Sequence, residues 1–258
     1  MIEDQILEIA KQAALEAGKI VKKYYLSELT LHSKGHYANF ATQADLESEQ
    51  KIIQILTQNF PNHNIIAEES GRVDKGSKYS WAIDPIDGTI PFVDGIPTFG
   101  VSIGALKNNI PIIGVINMVA INELYFAQKG KGAYLNGKKI KVRQEGMLEN
   151  CTIGLDLGHT DRIMKLEKFF RPIVEKVRYA YLFGSAVMSL CYVARGMLDA
   201  YIIRANVWDL AAGVVLIEEA GGKVTDMVGQ EVDFAEGKPR IICSNGAVHE
   251  AILKIYNR

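Results

Sequence analysis

A change of pattern near the middle of the chain limits the possible folds more than any other sequence feature. Between residues 100 and 140 the sequence predicts successive strands with no helix between them, ending in a hairpin at Asn136-Gly137. After about Lys141 it predicts strands that alternate with helices. Successive strands are typical of an antiparallel sheet, whereas alternation is typical of α/β folds. We therefore expect an α+β first part followed by an α/β second part.

No flexible linker separates these two parts. Apolar residues at helical spacing predict a first helix over 2–25, and Thr42 is the expected cap of a second helix. The other predicted elements are strands over 65–67, 80–83, 100–106, 111–118, 123–127, 152–157, 198–203 and 240–243, and helices over 161–170, 185–194, 209–220 and from 247. We expect two subdomains, residues 1–142 and residues 143–258, packed into one rigid unit.

The composition argues against several classes of protein. Hydrophobic residues make up 48% of the 258 residues and charged residues 23%, which is typical of a globular protein. The net charge of -1 provides no basic surface for nucleic acid. The longest apolar stretch, residues 110–121, is interrupted by Pro111 and Gly114, so no membrane span is expected. The three cysteines are isolated, which predicts a reducing cytoplasm rather than a disulfide framework.

Two aspartates follow the strand predicted over 80–83. In the segment WAIDPIDGT, which runs from Trp81 to Thr89, Asp84 and Asp87 flank a proline. Asp-Pro and Asp-Gly are strong turn signals, so a turn with two solvated carboxylates is one interpretation. The other is a cation site, because carboxylates that converge at a strand end hold hard metal ions. No CxxC or HExxH motif occurs, so any metal is expected to have oxygen ligands.

Other acids also end predicted elements, and each has a structural alternative. Asp45 lies three residues after Thr42, which is the spacing of a capping box. Asp209 precedes an apolar helix and is a candidate for its N-cap. Glu68 and Glu69 are also consistent with exposed charges at the end of a strand.

One motif resembles a nucleotide site but predicts a turn. The segment GAYLNGKK, Gly132 to Lys139, nearly matches a P-loop, yet Lys139 stands where the magnesium-binding Ser or Thr is needed. Asn-Gly followed by KKIKV instead predicts a hairpin and a strand. A P-loop ATPase or kinase is therefore disfavoured.

Taken together, the acids suit metal-assisted phosphate chemistry. Two cations about 3.5–4 Å apart need bridging and terminal carboxylates, and they stabilise both the attacking and the leaving oxygen. Amides at a turn, such as those of Gly88 and Thr89, can bind phosphate. A bound cation also lowers the pKa of water toward ~7, so the chemistry requires no histidine or cysteine nucleophile.

Several segments resemble, in order along the chain, the inositol monophosphatase family of magnesium-dependent, lithium-sensitive phosphatases. They are ATQADLESEQ, AEES, WAIDPIDGT, GVSIGAL, KGKGAYLNG, GSAVMSLCYVARGMLDAY and WDLAAGVVLIEEAGG. The resemblance covers nearly the whole chain. It implies a five-layered αβαβα sandwich, a homodimer, and a phosphomonoesterase that hydrolyses a small phosphorylated metabolite with two to three Mg²⁺ ions.

The resemblance also implies roles for individual residues. The metal ligands would be Glu68, Asp84, the Ile86 carbonyl, Asp87 and Asp209. Asp45 and Thr89 would orient the attacking water, and Glu68 would also hold a looser third ion through waters. Substrate contacts would come from Asp87, Gly88, Thr89, Gly184, Ser185, Ala186, Arg204 and Asp209. Glu69 would support the site from outside, and Trp81 and Trp208 would pack beside the ligands.

Two departures from the family pattern concern the substrate. Members that prefer inositol phosphates commonly carry a glutamate shortly before the Trp-Asp pair, whereas AYIIRANVWD has no acid between Ala200 and Trp208 and offers Arg204. A solvated surface charge is the alternative for Arg204. Pro91 stands near DGT where the family commonly has Asn, and it removes a backbone donor. Inositol, histidinol, nucleotide-derived and sugar phosphates, including fructose 1,6-bisphosphate, stay open as substrates, as does a non-catalytic regulatory role.

Overall fold

The computed structural model describes residues 2–158, 160–235 and 237–257. Within them the α-helices are α1 (Ile2–Tyr24), α2 (Gln43–Asn59), α3 (Thr89–Val93), α4 (Arg162–Lys165), α5 (Arg171–Val174), α6 (Ala186–Ala194), α7 (Val207–Glu219) and α8 (His249–Tyr256). A π-helical segment, Leu166–Phe170, joins α4 to α5, and 3-10 turns cover Val119–Ile121 and Leu148–Asn150. None of these helices is both long and apolar enough to cross a membrane.

The strands form one hairpin and two large sheets. They are β1 (Leu31–His36), β2 (Asn39–Thr42), β3 (Asn64–Ala67), β4 (Gly71–Val73), β5 (Tyr79–Asp87), β6 (Gly100–Lys107), β7 (Ile110–Met118), β8 (Glu123–Gln128), β9 (Gly132–Leu135), β10 (Lys138–Lys139), β11 (Thr152–Leu155), β12 (Tyr179–Tyr181), β13 (Ala200–Arg204), β14 (Lys223–Asp226) and β15 (Arg240–Ser244). Strands β1 and β2 pair only with each other, the eight-stranded sheet has the order β10-β9-β8-β7-β6-β5-β3-β4, and the five-stranded sheet has the order β12-β11-β13-β15-β14.

The two large sheets are the second and fourth layers of a five-layered αβαβα sandwich, which confirms the predicted fold class. Helices α1 and α2 pack on the outer face of the eight-stranded sheet, α6 and α7 fill the space between the sheets, and α8 covers the outer face of the five-stranded sheet. Apolar side chains bury their surface at each interface, at a gain of about 25 cal/mol per Å². The eight-stranded sheet is antiparallel except where β3 pairs with β5, and the five-stranded sheet is mixed.

Two glycines let helix α7 lie against its neighbours at close range. A Cβ atom at Gly114 of β7 would lie 2.1 Å from the carbonyl oxygen of Ala212, and one at Gly213 would lie 2.5 Å from Cδ1 of Leu190. A side chain at either position would push apart backbone that now packs directly. The N-terminal end of α7, which carries Asp209, is therefore held at a fixed depth between the sheets.

Strand β5 leads the chain into the segment that holds Asp84 and Asp87. All nine of its residues are buried, and its pairing with β6 becomes irregular between the two aspartates, where Pro85 removes a backbone donor. Strand β3 runs parallel to β5 with Ala67 opposite Ile83. The amide of Glu68 donates to the carbonyl oxygen of Ile83 at 3.1 Å, so Glu68 lies beside the start of this segment.

Some predicted boundaries were wrong, and several short elements were not predicted. The sequence did not predict the hairpin of β1 and β2, the edge strands β4 and β12, or the five-residue helix α3. The helix expected over 161–170 begins at Arg162 and changes to π geometry at Leu166. Strand β11 ends at Leu155 rather than at residue 157, and α8 begins at His249. The missed elements are short, so they show too little periodicity to identify them.

Candidate metal centre

Three aspartates converge where β5 ends and α7 begins. Asp84, Asp87 and Asp209 each offer one carboxylate oxygen, and these three atoms all lie within 4.8 Å of one another. We call these three residues the carboxylate cluster. Asp84 and Asp87 are buried and Asp209 is partly open to solvent. The interpretation of Asp84 and Asp87 as solvated turn residues is therefore wrong.

Asp87 is fixed by the beginning of helix α6. Its carboxylate accepts hydrogen bonds from the Ser185 hydroxyl, from the Ala186 amide at 3.3 Å and from the Val187 amide at 3.1 Å. Ser185 is also the N-cap of α6, since its hydroxyl oxygen accepts from the Met188 amide at 3.2 Å. A helix N-terminus favours negative charge, so α6 stabilises the ionised form of Asp87.

Asp209 and Asp84 are held by local backbone amides. Asp209 is the third residue of α7, and its carboxylate accepts from the Asn206 amide at 2.7 Å in a capping box. The alternative in which Asp209 is the N-cap is wrong, because Asn206 occupies that position. One oxygen of Asp84 accepts from the Ile86 amide at 3.0 Å. These bonds aim the carboxylates without neutralising them.

Ionising the carboxylate cluster without a cation is costly. Burial raises the pKa of Asp87 to about 7. Burial, together with the charge of Asp87, raises the pKa of Asp209 to about 8. Burial and the charge of Glu68 hold the pKa of Asp84 well above its usual range. A cation bound among them would remove this penalty, because opposite charge favours the ionised form of a carboxyl group.

Lys34 on β1 neutralises the neighbouring glutamates. Its ammonium group lies 2.9 Å from an oxygen of Glu68 and 2.6 Å from an oxygen of Glu69. Burial opposes the charge of Lys34, but the two glutamates outweigh that effect and raise its pKa. Lys34 could not be identified from the sequence, because only the β1–β2 hairpin brings it near Glu68. Glu69 lies next to the site and forms an ion pair with Lys34.

A second missed residue holds the turn that follows β3. The carboxylate of Glu49, on α2, accepts from the Glu69 amide at 2.8 Å and from the Ser70 amide at 2.7 Å. Glu49 is 3% exposed. A buried carboxylate that bonds two consecutive amides fixes the backbone there, so Glu49 positions Glu68 and Glu69. The position of Glu49 on the second predicted helix is visible in the sequence, but its contact with the amides of Glu69 and Ser70 is not.

Asp45 and Thr89, expected as a water-orienting pair, are not hydrogen-bonded to each other. One carboxylate oxygen of Asp45 accepts from the amide and the hydroxyl of Thr42, which confirms the capping box. The other oxygen, Oδ1, is buried without a partner in the described structure. The Thr89 hydroxyl donates to the Ile86 carbonyl oxygen at 3.2 Å. Burial raises the pKa of Asp45 to about 7.

The expected site residues line one cavity with a volume of about 1060 Å³, apart from Asp45 and Ser185. Those that line it are Glu68, Asp84, Ile86, Asp87, Gly88, Thr89, Gly184, Ala186, Arg204 and Asp209. Ser185 is buried behind the wall on Asp87, so its expected contact with substrate is replaced by a contact with Asp87. Gly88 has φ of +86°, and a Cβ there would lie 2.7 Å from the Thr98 carbonyl oxygen.

The two tryptophans, expected beside the ligands, pack in different cores. Trp81 is fully buried in the core beneath the eight-stranded sheet, and Trp208 packs against the core between the sheets. The Trp208 carbonyl oxygen accepts from the Ser102 hydroxyl at 3.2 Å, which ties the beginning of α7 to β6. The backbone of Trp208 thus helps to fix the neighbouring Asp209.

The donor set fits a hard divalent cation. The carboxylate cluster and the adjacent Glu68 and Ile86 offer only oxygen atoms, which Mg²⁺ prefers. Two of these groups are buried carboxylates whose pKa is raised by burial. A cation there would lower the cost of burying their charge.

Comparison with known proteins identifies the relatives of this chain. The model of the inositol monophosphatase family matches residues 2–258. The chain belongs to the inositol monophosphatase family. This is a family of phosphoric monoester hydrolases, in agreement with the carboxylates that line the cavity.

Relatives and solved structures agree over nearly the whole chain. The chain is 34% identical over 254 residues to the fructose-1,6-bisphosphatase/inositol-1-monophosphatase of Aquifex aeolicus, covering 96% of this chain and 94% of that protein. It is 35% identical to the inositol-1-monophosphatase of Bacillus subtilis, covering 98% and 96%. The structure of the extragenic suppressor protein SuhB from Bartonella henselae superposes with a TM-score of 0.92 at 30% identity, covering 98% and 99%.

Proposed function

We propose that the protein is a Mg²⁺-dependent phosphomonoesterase that hydrolyses a small polyol, sugar or amino-alcohol phosphate. The observation that carries this proposal is the carboxylate cluster, with three oxygens within 4.8 Å of one another in the wall of the cavity. Phosphate esters resist hydrolysis because their negative charge repels nucleophiles. A site that concentrates cations beside a phosphate-sized space removes that obstacle.

Two to three Mg²⁺ ions would bind per site, and the residues divide among them. Glu68, Asp84 and the Ile86 carbonyl would hold the first ion, and the carboxylate cluster would hold the second. Glu68 would also hold a looser third ion through waters. When bound, the ions would place positive charge beside the phosphate and lower the pKa of water, so that hydroxide is available as a nucleophile near neutral pH.

The chain's own residues would bind and orient the substrate. The amides of Gly88 and Thr89, at the start of α3, would donate to phosphate oxygens. The Thr89 hydroxyl, which lines the cavity, is the group available there to orient water, whereas the unpaired Oδ1 of Asp45 is buried outside the cavity lining. Gly184 and Ala186, which also line the cavity, would contact the alcohol.

The alcohol that carries the phosphate has three candidate identities. Inositol 1-phosphate is the first candidate, because the Bacillus subtilis relative bears that activity in its name. A sugar bisphosphate is the second, because relatives from Aquifex aeolicus and Thermotoga maritima are named for both activities and Arg204 lines this cavity. Histidinol phosphate is a further alternative on the same scaffold.

Phosphate release tests the proposed function directly. Purified protein would be assayed with inositol 1-phosphate, histidinol phosphate, fructose 1,6-bisphosphate and a nucleoside monophosphate, with Mg²⁺ or with a chelator. We expect turnover of at least one ester, abolished by the chelator and restored by Mg²⁺. Turnover of none would favour the non-catalytic regulatory alternative, and turnover that persists with chelator would refute the metal assignment.

Family membership also supports three further proposals. We propose that the protein works in the cytoplasm as a homodimer and that its chain divides into subdomains at residues 142 and 143. The three cysteines are buried and unpaired, in agreement with a reducing compartment. Sedimentation equilibrium of the purified protein tests the dimer, and limited proteolysis near residue 142 tests the division.

A further inference from the structure

Two arginines face each other at the end of the five-stranded sheet that lines the cavity. In the antiparallel pairing of β13 with β15, Arg204 lies directly opposite Arg240. Directly opposed residues in such a pair have Cβ atoms about 4.5–5.5 Å apart. Both side chains line the same cavity as the carboxylate cluster. We call Arg204 and Arg240 the arginine pair.

The backbone fixes this placement. The pairing of β13 and β15 continues past Arg204, since the Ala205 amide donates to the Pro239 carbonyl oxygen at 3.4 Å. Helix α7, which carries Asp209, begins immediately afterwards at Val207. The strand that presents Arg204 therefore leads directly into the helix that presents a predicted metal ligand. Arg204 and Asp209 therefore lie close together along the chain, at the end of β13 and the beginning of α7, and both line the cavity.

Opposed arginines without a counter-ion are costly. Like charges directly across a sheet destabilise it, and burial together with the charge of Arg204 lowers the pKa of Arg240. Within the described residues, neither arginine forms an ion pair with a carboxylate. Arg204 only donates to the Lys238 carbonyl oxygen at 3.4 Å, and Arg240 stacks over the Phe169 ring at 4.2 Å.

Several other arginines of the described chain have carboxylate partners, although Arg162 and Arg178 bond only a carbonyl and a hydroxyl oxygen. Arg195 pairs with Glu123 at 2.6 Å and Arg143 pairs with the buried Asp199 at 3.3 Å. Even the exposed Arg171 has a partner one helical turn away. The arginine pair instead lines the cavity, and the bond from Arg204 to the Lys238 carbonyl oxygen uses one of its N–H donors. Guanidinium groups bind phosphates and carboxylates in a bidentate manner, so the missing partner is an anion of that shape.

We propose that the arginine pair binds a second anionic group, a phosphate or a carboxylate, of a substrate whose first phosphate lies at the carboxylate cluster. This inference rests on the proposed function for the position of the first phosphate. It makes Arg204 and Arg240 specificity-determining residues and selects doubly anionic substrates over simple alcohol phosphates. The two like charges then become favourable, because each approaches the bound anion rather than only the other arginine.

Three substrates with the same six-carbon chain test this selection. Sorbitol 6-phosphate has a neutral far end, sorbitol 1,6-bisphosphate has a second phosphate, and 6-phosphogluconate has a carboxylate. We expect kcat/KM to be about tenfold or more higher for at least one dianionic substrate than for sorbitol 6-phosphate. The preferred one identifies the anion. No preference for either would overturn the proposal.

Variants connect the preference to the two arginines. The quantity compared is the ratio of kcat/KM for the preferred dianionic substrate to kcat/KM for sorbitol 6-phosphate. We expect R204Q and R240Q each to reduce this ratio about tenfold, since glutamine keeps much of the stem but loses the charge. R171Q removes an exposed arginine outside the cavity and should leave the ratio as in the wild type. Thermal unfolding would confirm that R240Q, which loses its stacking on Phe169, is folded. A ratio unchanged in both variants, or lowered equally in R171Q, would refute the assignment.

A binding measurement separates this inference from the proposed function. Titration calorimetry with hexane-1,6-diphosphonate and hexylphosphonate, in the presence of Mg²⁺, requires no turnover. We expect wild-type protein to prefer the diphosphonate about tenfold or more and both variants to lose that preference. Preference without hydrolysis of any ester would refute the phosphatase and retain the anion site. Hydrolysis of an ester without this preference would refute the anion site and retain the phosphatase.

Discussion

The carboxylate cluster and the arginine pair occupy the same cavity but are built in different ways. Each aspartate of the cluster accepts a hydrogen bond from at least one backbone amide. The donors are the Ile86 amide, an amide at the start of α6 and the amide of the residue that caps α7. The arginine pair rests on strand register and long stems, with one hydrogen bond from Arg204 to a backbone carbonyl and the stacking of Arg240 on Phe169. Groups that must hold an ion at a fixed point need rigid support, whereas groups that read the far end of a substrate need reach. Chemistry and selectivity can thus change independently.

Removing one charge from the carboxylate cluster should have the largest effect. We expect Asp209→Asn and Asp87→Asn each to lower kcat about 100-fold or more at saturating Mg²⁺, because both are proposed to hold the same cation. Asp209→Asn is the cleaner change, since Asp87 also anchors α6. Steady-state kinetics checks the loss and circular dichroism checks the fold.

The exposed Asp94, which lines the same cavity, provides the matched control. Asp94→Asn makes the same isosteric change outside the cluster, and we expect it to lower kcat less than threefold, about the size of a surface electrostatic effect. Near wild-type turnover by Asp209→Asn would remove the two-metal assignment.

Lithium should act on the cluster and not on the arginine pair. From the family resemblance we expect LiCl at about tens of millimolar, a modest ionic strength, to inhibit turnover several-fold and uncompetitively toward substrate. The same degree of inhibition is expected in R204Q, because Arg204 is not among the proposed metal ligands. NaCl at equal concentration controls for ionic strength. Full activity in LiCl would argue against kinship in the ion sites.

Without metal, the cluster should weaken the fold as pH rises. The folded-state pKa of Asp87, about 7, exceeds its unfolded value, so the folded protein binds more protons between pH 4 and 7 and loses stability across that range. We expect Asp84→Asn to raise the free energy of unfolding of metal-free protein at pH 8 by about 1–4 kcal/mol, since Asp84 is the most buried of the three.

Urea denaturation in a chelator measures this gain, and added Mg²⁺ should reverse its sign, because the ion stabilises only the intact cluster. Asp94→Asn is again the control. A metal-free Asp84→Asn protein no more stable than wild type would show that the cluster's charges are already compensated.

The five-stranded sheet should respond to pH in the opposite direction, with a smaller effect. His249 is buried, with Nδ1 2.8 Å from the Ser244 hydroxyl and Nε2 2.9 Å from the Thr225 hydroxyl. Burial lowers its pKa to about 4, so the unfolded chain binds the extra proton between pH 6.5 and 4. Stability contributed by neutral His249 is therefore complete above pH 6.5 and lost as pH falls toward 4.

Comparison of wild type with His249→Gln isolates this effect from the carboxylates. We expect the difference in unfolding free energy between the two proteins to shrink by about 1–3 kcal/mol from pH 7 to pH 4.5. His32→Gln, an exposed site on β1, should show no such pH dependence. A difference that stays constant with pH would mean that His249 keeps its ordinary pKa.

Local signals explain which parts could be predicted from sequence. The strand that ends at Asp84 and Asp87, the cap at Thr42 and the turn at Asn136-Gly137 each depend on a few neighbouring residues. Lys34 and Arg240 could not be predicted as partners of this site. Their positions follow from a hairpin and from strand register, which join residues far apart in sequence.

The contact between Asp87 and α6 was missed for the same reason. The sequence placed Ser185 at a helix start, which was right, but could not give the direction of the hydroxyl. Family resemblance supplied the ligand roles, and these stay predictions. The physical reason is that capping is local, whereas the group that a cap also contacts is set by packing between distant elements.

The contact of Asp87 with the beginning of α6 also affects how the chain is made. Asp84 and Asp87 leave the ribosome well before Ser185, Asn206 and Asp209, because synthesis proceeds from the N-terminus. The nascent eight-stranded sheet therefore holds two acids whose partners have not yet been translated. An ion that needs Asp209 as well can be retained only after α7 has docked, so ion retention by ribosome-bound chains would report completion of the middle layer.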